Sequence, residues 1–574
     1  MKKMIALLLA LVMVLGLFAG CGSKETASES TTSTEETTAT ESTETTESTE
    51  TEATEETEEI NYMLFSTGLN STKSALKDAA SGGYTTSYCM IFSTLLKYDC
   101  DTGEYVGALA DSWEVSEDGT VYTVHLGDNT FHDGTPITAD DVVFSYNYYI
   151  MGGGSRQSNL TSLLGYDAAK NGEAELVEGV KKIDDKTVEF TLSTANSLFM
   201  MGLSNSAHCI LPSSYFEGMT WTEVTEYEAF WQKPVGSGAY KVVETNYPNY
   251  IILEAFEDFY DVASVKHVIL NCYADQSALD AAVRAGQMDW YFGTDYEDAV
   301  SIMAANPDMR MVELETSYQR WFMLNISETA GDGSTHPNMD NARVRHALNM
   351  LLDKEAIAAF YGNTTSVLTG HLPATNPNYN TDLPTWERDV EGAVAILEEE
   401  GFDFDTPIRI YSNYTDQETA DFLELVKQQL AEGGVQVEYT IDGNWQEYLA
   451  AADYDFRYAG GQNAADVNWY EHYAISARSS TTIGNFPMDN EEFVAYTTAR
   501  YDDLINAYKA SQDANEQKEI LDQLQYNAYE DMYDIPLYTL ANVSLYSSRF
   551  NMPVLTNDYY EFCDWHFSTW TLSE

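Results

Sequence analysis

The chain is short of basic residues, of cysteine pairs and of long apolar runs, and each shortage closes off a class of function. Lys and Arg number 29 against 92 Asp and Glu, a formal net charge of −63. Such a surface repels phosphate backbones and anionic lipid headgroups, so nucleic acid is not an expected partner. The same excess serves solubility or, as the alternative, a preference for cationic ligands. The six cysteines stand at 21, 89, 100, 209, 272 and 563, with no C-x-x-C among them. That argues against a zinc ribbon and a dithiol redox motif, and they read mainly as small buried hydrophobes. The nine histidines are scattered singly, which speaks against a preformed transition-metal cage, and no cofactor is expected. After residue 20 no stretch approaches the ~18 apolar residues that a membrane-spanning helix needs.

Signatures of catalysis are missing as well. There is no G-x-S-x-G, no P-loop and no H-E-x-x-H. Ser74-Ala75-Leu76-Lys77 is an S-x-x-K, but no K-T-G accompanies it, and S-x-x-K is common by chance on a polar helix. An enzyme is not expected.

The N-terminus is distinctive. Met1-Lys2-Lys3 is a basic start, residues 4–20 are an apolar run, and Phe18-Ala19-Gly20-Cys21 follows the pattern of a lipoprotein signal. Residues 1–20 are then the signal peptide and Cys21 the lipidated first residue of the mature chain; an uncleaved membrane anchor is the alternative. Residues 21–59 are a Ser/Thr/Glu linker with 13 Glu, one Lys and no proline from residue 22 onward. It lacks the apolar surface that would repay the entropy of ordering, so it reads as a disordered, charge-extended tether, with an O-glycosylated stalk as the alternative. Setting aside that Lys, the two N-terminal lysines and the 13 Glu leaves 26 basic and 79 acidic residues, or −53, on the folded part.

A single core rarely grows beyond ~250–300 residues, so a chain of 574 is expected to fold as two or three lobes. Tyr62-Met63-Leu64-Phe65 reads as a first strand. Residues 113–115 and 121–126 are two runs of β-formers separated by Ser116-Glu117-Asp118-Gly119. Gly119 tolerates the positive φ of a tight turn, and Tyr122, Val124 and Leu126 fall on one face, which predicts a hairpin with one buried side. Thr138 lies three residues before Asp141 and ahead of Val142, Val143 and Phe144, a capping-box spacing that predicts a helix start. Further on, a helix over 390–402 ends at Gly401. A strand over 408–411, an amphipathic helix over 419–430 and a strand over 435–439 follow. Helix then strand, repeated, predicts an α/β lobe with a largely parallel sheet. In Lys233-Pro234-Val235-Gly236-Ser237-Gly238 two glycines allow close backbone approach, either to another strand or to a ligand.

The segments TGEYVGALADSWEVSEDGTVYTVHL and FHDGTPITADDVVFS, read together, resemble the signature of the family 5 extracytoplasmic solute-binding proteins of peptide and nickel ABC transporters. PVGSGAYK, ALDAAVRAGQMDW, the helix around Arg343 and Arg345, VEGAVAILEEEGF and QYNAYEDMYDIPLY resemble later elements of the same family. The resemblance implies an α/β, periplasmic-binding-protein-like fold of the cluster C type: two α/β lobes, hinge strands that close them on ligand, and an inserted subdomain. Lobe I would take residues 60–98, 207–270 and 500–574, its inserted subdomain 99–206, and lobe II 271–499. Arg343 and Arg345 read as capping or salt-bridging residues within a lobe, with ligand contact as the alternative.

In peptide-binding members an aspartate binds the peptide α-amine, and the resemblance places Asp466 at that position. An aspartate that caps the turn before Trp469 is the alternative. Ser237, Asn325 and Trp469 are the further ligand-facing candidates. The resemblance implies a monomer that captures di- or oligopeptides outside the membrane and passes them to an ABC permease and ATPase complex. The lipid on Cys21 would hold it at the outer face of the cytoplasmic membrane. The same scaffold could instead carry an oligosaccharide or a nickel complex, or serve as a receptor or chaperone-like protein without transport.

Overall fold

The computed structural model describes residues 59–65, 89–99, 102, 104–551 and 566–572, less the internal stretches 155–156, 247–248, 274–275, 295, 327–335, 361–363, 385–386, 445–453, 464 and 477–485. The expected signal peptide, the linker up to residue 58, Cys21 and the S-x-x-K at 74–77 lie outside the described residues. Among the described residues no helix is long and apolar enough to cross a membrane.

The smaller of the two main sheets contains the expected hairpin. Its antiparallel order is Ala110–Val115, Val121–Leu126, Thr187–Thr191, Val180–Asp184. Gly119 takes φ 68° and its N–H donates to the Ser116 carbonyl at 2.8 Å, closing the turn. Tyr122, Val124 and Leu126 are buried, as their alternation predicts. The helix Ala139–Met151 follows Thr138. Asp141 Oδ2 accepts the Thr138 N–H at 2.9 Å, and Oδ1 accepts the Ser213 N–H and hydroxyl at 2.8 and 2.7 Å. One carboxylate thus caps a helix and pins a distant loop to it.

The larger sheet has 11 strands. Edge to edge they run Val437–Ile441, Ile408–Ser412, Phe456–Gly461, Met309–Leu324, Asp534–Ser547, Trp290–Thr294, Glu59–Phe65, His267–Tyr273, Tyr250–Ala255, Tyr240–Asn246, with Thr364–Val367 also paired to Asp534–Ser547. The sheet expected to be largely parallel is so only in part. Ile408–Ser412 is parallel to both its neighbours, but Phe456–Gly461 then meets Met309–Leu324 antiparallel. The helices Val390–Glu399 and Gln417–Glu432 cover this half. Gly401, at φ 68°, ends the first of them as expected, and Phe402 N–H reaches back to the Leu397 carbonyl at 2.8 Å.

Two hydrophobic cores form. The first gathers residues between 89 and 312 and again between 543 and 572; the second gathers residues between 321 and 538. The chain therefore passes between cores at 312–321 and 538–543. Both passages lie inside strands, Met309–Leu324 and Asp534–Ser547, which run antiparallel side by side with a register shift between Glu315 and Gln319. No turn or linker interrupts either strand, so the chain itself carries no boundary mark there.

Arg343 and Arg345 serve the second core. Arg343 pairs with Glu399 at 2.9 Å and with Glu400. Arg345, 3 % exposed, donates to the carbonyls of Met339, Asp340, Met532 and Asp531. Burial lowers its pKa to about 10. Cys209 is a buried free thiol, in line with its reading as a small hydrophobe, whereas Cys89 is in a disulfide.

Candidate functional site

The strand Phe456–Gly461 is parallel to Ile408–Ser412, and its carboxyl end delivers the chain to Asp466. The crevice outside the carboxyl ends of parallel strands is where open α/β sheets lodge ligands. Across from Asp466 stand two asparagines on either side of Pro377, in a turn closed by the Tyr379 N–H donating to the Asn376 carbonyl at 3.0 Å. Asn376 Nδ2 donates to Asp466 Oδ1 at 3.0 Å, and Asn378 Nδ2 donates to Oδ2 at 2.9 Å. Gln525, on the helix Ala514–Asp531, fixes that segment from behind. Its Oε1 accepts Asn380 N–H and its Nε2 donates to the Asn378 carbonyl, each at 2.9 Å.

Asp466 is half-buried and no cation pairs with it among the described residues. Burial raises its pKa, and the Asn378 and Asn376 amides pull it partway back. An ionised carboxylate offers about four acceptor directions, so two neutral donors leave room for more. Asp466 does not cap the turn that follows: its own bonds go to the asparagines, and the cap position is Ala465.

Trp469 closes the same turn, 2 % exposed. Its ring stacks on His371 at 4.9 Å and 6°, and meets Trp321 edge-on at 5.6 Å and 90°. His371 is held by Gln319 at 3.0 Å, the Tyr473 hydroxyl at 2.9 Å and Asp534 at 2.8 Å. Gln319 and Trp321 lie on one crossing strand and Asp534 on the other, so the aromatic stack of the Asp466 turn is anchored to both crossing strands.

The other two candidates sit elsewhere. Ser237, 1 % exposed, accepts the Ser93 N–H at 3.2 Å within the first core. Asn325, fully buried, donates to the Tyr454 carbonyl at 3.0 Å through its side chain, and its N–H reaches the Asp455 carbonyl at 2.8 Å. Asn325 thus marks the amino end of the strand Phe456–Gly461 and Asp466 lies past its carboxyl end, with about 17 Å of strand between. Both side chains are committed to bonds inside the protein. The structure brings Asp466 and Trp469 together and leaves Ser237 and Asn325 apart from them.

Sequence reasoning missed Asn376 and Asn378. Their alternation around Pro377 was the available signal, but their partner lies 88 to 90 positions away. It also missed His132, whose ring grips the Gly236–Gly238 backbone.

A family model for bacterial extracellular solute-binding proteins, family 5 middle, matches residues 104–485, a span that holds the hairpin, Ser237, Asn325, Asp466 and Trp469. The chain belongs to this family. Heme-binding protein A of Haemophilus influenzae is 25 % identical over 473 residues, covering 79 % of this chain and 82 % of that protein. The dipeptide-binding protein of Escherichia coli is 24 % identical over 469 residues, covering 77 % and 82 %. The solved structure of the ABC transporter substrate-binding protein CtaP from Listeria monocytogenes superposes with a TM-score of 0.69 at 22 % identity, covering 90 % of this chain and 99 % of that one. Family 5 members bind solutes rather than transform them. The chain is a substrate-binding protein of an ABC transporter, extracellular or periplasmic like its family, with the periplasmic-binding fold expected from the sequence.

Proposed function

We propose that the solute is a short peptide, captured outside the membrane and handed to an ABC permease and ATPase complex by a protein tethered through lipid on Cys21. Asp466 would accept the peptide's α-amine, with Trp469 and its stack holding the turn beneath it. The supporting observation is a carboxylate at the carboxyl edge of a sheet, desolvated enough for its pKa to rise, and hydrogen-bonded among the described residues by two neutral amides. A dipeptide-binding relative among the matches points the same way.

An α-amine has a pKa of ~8 and is mostly charged at neutral pH. Enclosing it without a counter-charge would be costly. A carboxylate supplies charge and acceptors and favours the ammonium form, and the ammonium in turn favours the ionised form of Asp466. Losing one partner of such a pair typically costs ~2–5 kcal/mol, on the order of 30- to several-thousand-fold in affinity. Asp466→Ala should therefore weaken free peptides by that factor, while N-acetylated peptides should bind wild type poorly and ignore the substitution. Titration calorimetry with both forms of one peptide decides it; equal losses for both would remove Asp466 from the site.

A further inference from the structure

The two cores also meet through elements other than the crossing strands. The strand Thr187–Thr191 and the helix Phe199–Ser204 both belong to the first core, and the loop between them reaches the second. Leu198 packs against the second core, whereas the next residue, Phe199, is buried in the first. Ser197 N–H donates to the Lys509 carbonyl at 2.8 Å, and Gln517 Nε2 donates to the Ser197 hydroxyl at 2.9 Å. Lys509 lies on the helix Asp503–Ala510 and Gln517 on the helix Ala514–Asp531, which give Ile505, Leu521 and Leu524 to the second core. Between those helices, the Gln512 side chain hydrogen-bonds the Tyr122 hydroxyl, which itself donates to the Asn196 carbonyl at 3.1 Å. A β-carbon at Gly119 would lie 3.2 Å from Gln512 Nε2, so the tip of the hairpin abuts the same place.

The helix Asp503–Ala510 is fastened to the Asp466 turn as well, at two points. Lys509 Nζ pairs with Glu471 at 2.5 Å. Asp502, buried, accepts the N–H groups of Ile475 and Ser476 at 2.7 and 2.8 Å. Asp502 ends a π-helical turn, Thr498–Asp502, a widened turn of the kind that recurs at functional sites. The Lys509 pair is half-exposed and contributes little to stability by itself, but with Asp502 it makes the Asp466 turn and this helix move together. Tyr508, on the same helix, has its pKa pushed up to about 12 by burial, and further by the Asp466 carboxylate and by Tyr98. Tyr98 meets Tyr105 edge-on at 5.3 Å, and Tyr105 packs against the first core. Tyr508 thus stands near Asp466 and near a ring pair of the first core at once.

Moving the two cores apart about the crossing strands breaks both Ser197 bonds and exposes Leu198 to water. Each hydrogen bond given up to water is worth about two- to tenfold in an equilibrium constant, and the leucine adds to that. We propose that the loop 195–198 is a clasp that holds the two cores together over the Asp466 turn, and that Ser197 and Leu198 set how long a solute is retained there. They are positioning residues: they act through Lys509, Gln517 and the helix that carries the Asp466 turn. The clasp forms without solute, and a solute leaves only as fast as the clasp opens. It rests on Asp466 as the solute site and not on the solute being a peptide.

The test compares the full wild-type chain with the double variant Ser197→Ala/Leu198→Ala, which leaves every buried core residue in place. The first readout needs no solute: residue-resolved hydrogen exchange of the amide at position 197, which the clasp bonds to the Lys509 carbonyl. Its protection in wild type should be at least about tenfold over an open chain, and should fall about tenfold in the variant. The amides of Val124 and Phe190 should keep their protection in both. An unprotected amide at 197 in wild type, or equal protection in the two proteins, would overturn the inference. The second readout is trialanine binding by stopped flow. Release should quicken on the order of tenfold while association stays equal or rises, because the site itself is intact. Leu198→Met, which keeps the apolar contact, should release trialanine at the wild-type rate. Unchanged release in the double variant, or affinity lost through slower association, would overturn the clasp. If wild type does not bind trialanine, the peptide reading fails on its own and hydrogen exchange alone decides the clasp. Should the double variant fail to fold, Ser197→Ala carries the same comparison, with an effect of about two- to tenfold on each readout.

Discussion

At the scale of single residues, His132 shows how two sequence motifs become one object. It comes from Phe131-His132-Asp133-Gly134 and grips Gly236-Ser237-Gly238. Its Nδ1 accepts the Gly236 N–H at 3.2 Å, and its Nε2 lies 3.0 Å from the Gly238 carbonyl. Only the neutral ring with the proton on Nε2 makes both bonds. Burial lowers its pKa to about 4, a shift that the Gly238 bond opposes and Lys241 reinforces. Between that value and the ordinary ~6.5 the unfolded chain binds a proton and the folded one does not. Stability is therefore full above the upper value and falls as the pH drops through this window. His132→Phe keeps an aromatic ring against Phe256 but leaves a buried N–H and a carbonyl unpaired. It should cost about 2–4 kcal/mol at pH 7 in urea melts, and the gap to wild type should narrow as the pH falls toward 4. Parallel pH profiles for the two proteins would refute this account. The residues of both motifs were plain in the sequence; that a ring joins them across more than a hundred positions was not. The resemblance singles out Asp466 as a candidate but gives no sign of its asparagine partners.

At the scale of elements, legibility follows distance along the chain. The 113–126 hairpin, the start of the helix at Thr138 and the stop at Gly401 are set by neighbours within a few positions, and all three stand where the sequence places them. The Gly236-Ser237-Gly238 strap left open which surface it would approach. It lies on the backbone of residues 90–92, where Gly238 N–H donates to the Ile91 carbonyl at 2.9 Å. A β-carbon on Gly236 would sit 2.0 Å from the Ile91 carbonyl oxygen, and main chain cannot swing aside as a flexible side chain can. Overpacking of this kind typically costs ~1–3 kcal/mol. Gly236→Ala should lower the denaturation midpoint accordingly, with an unchanged slope against urea. A midpoint within error of wild type would mean that the strap shifts freely. The division of the chain between two cores was not legible, because each crossing falls inside a single strand with no turn or linker to mark it.

At the scale of the whole molecule, the family places the protein outside the cytoplasm, extracellular or periplasmic. The lipid anchor is the proposal that belongs here. It rests on Lys2-Lys3, the apolar run to residue 20 and Cys21. Cys21→Ser should move the protein from the membrane fraction into the soluble one, as followed by fractionation. Retention in the membrane would mean that an uncleaved helix holds it. The two crossing strands also fix an order of completion. The second core draws its buried residues from 321–538, with Leu198 and Leu540 packed against them, whereas the first draws on 89–312 and then waits for 543–572. Trp290 has Tyr546, Phe550 and Trp570 as neighbours, with ring centres 5.6 to 6.2 Å away, and all three are made last. A chain emerging N-terminus first therefore presents every residue of its second core before the first can be sealed. Synthesis that stops short of Val543 leaves Trp290 without these rings and the second core with all of its parts.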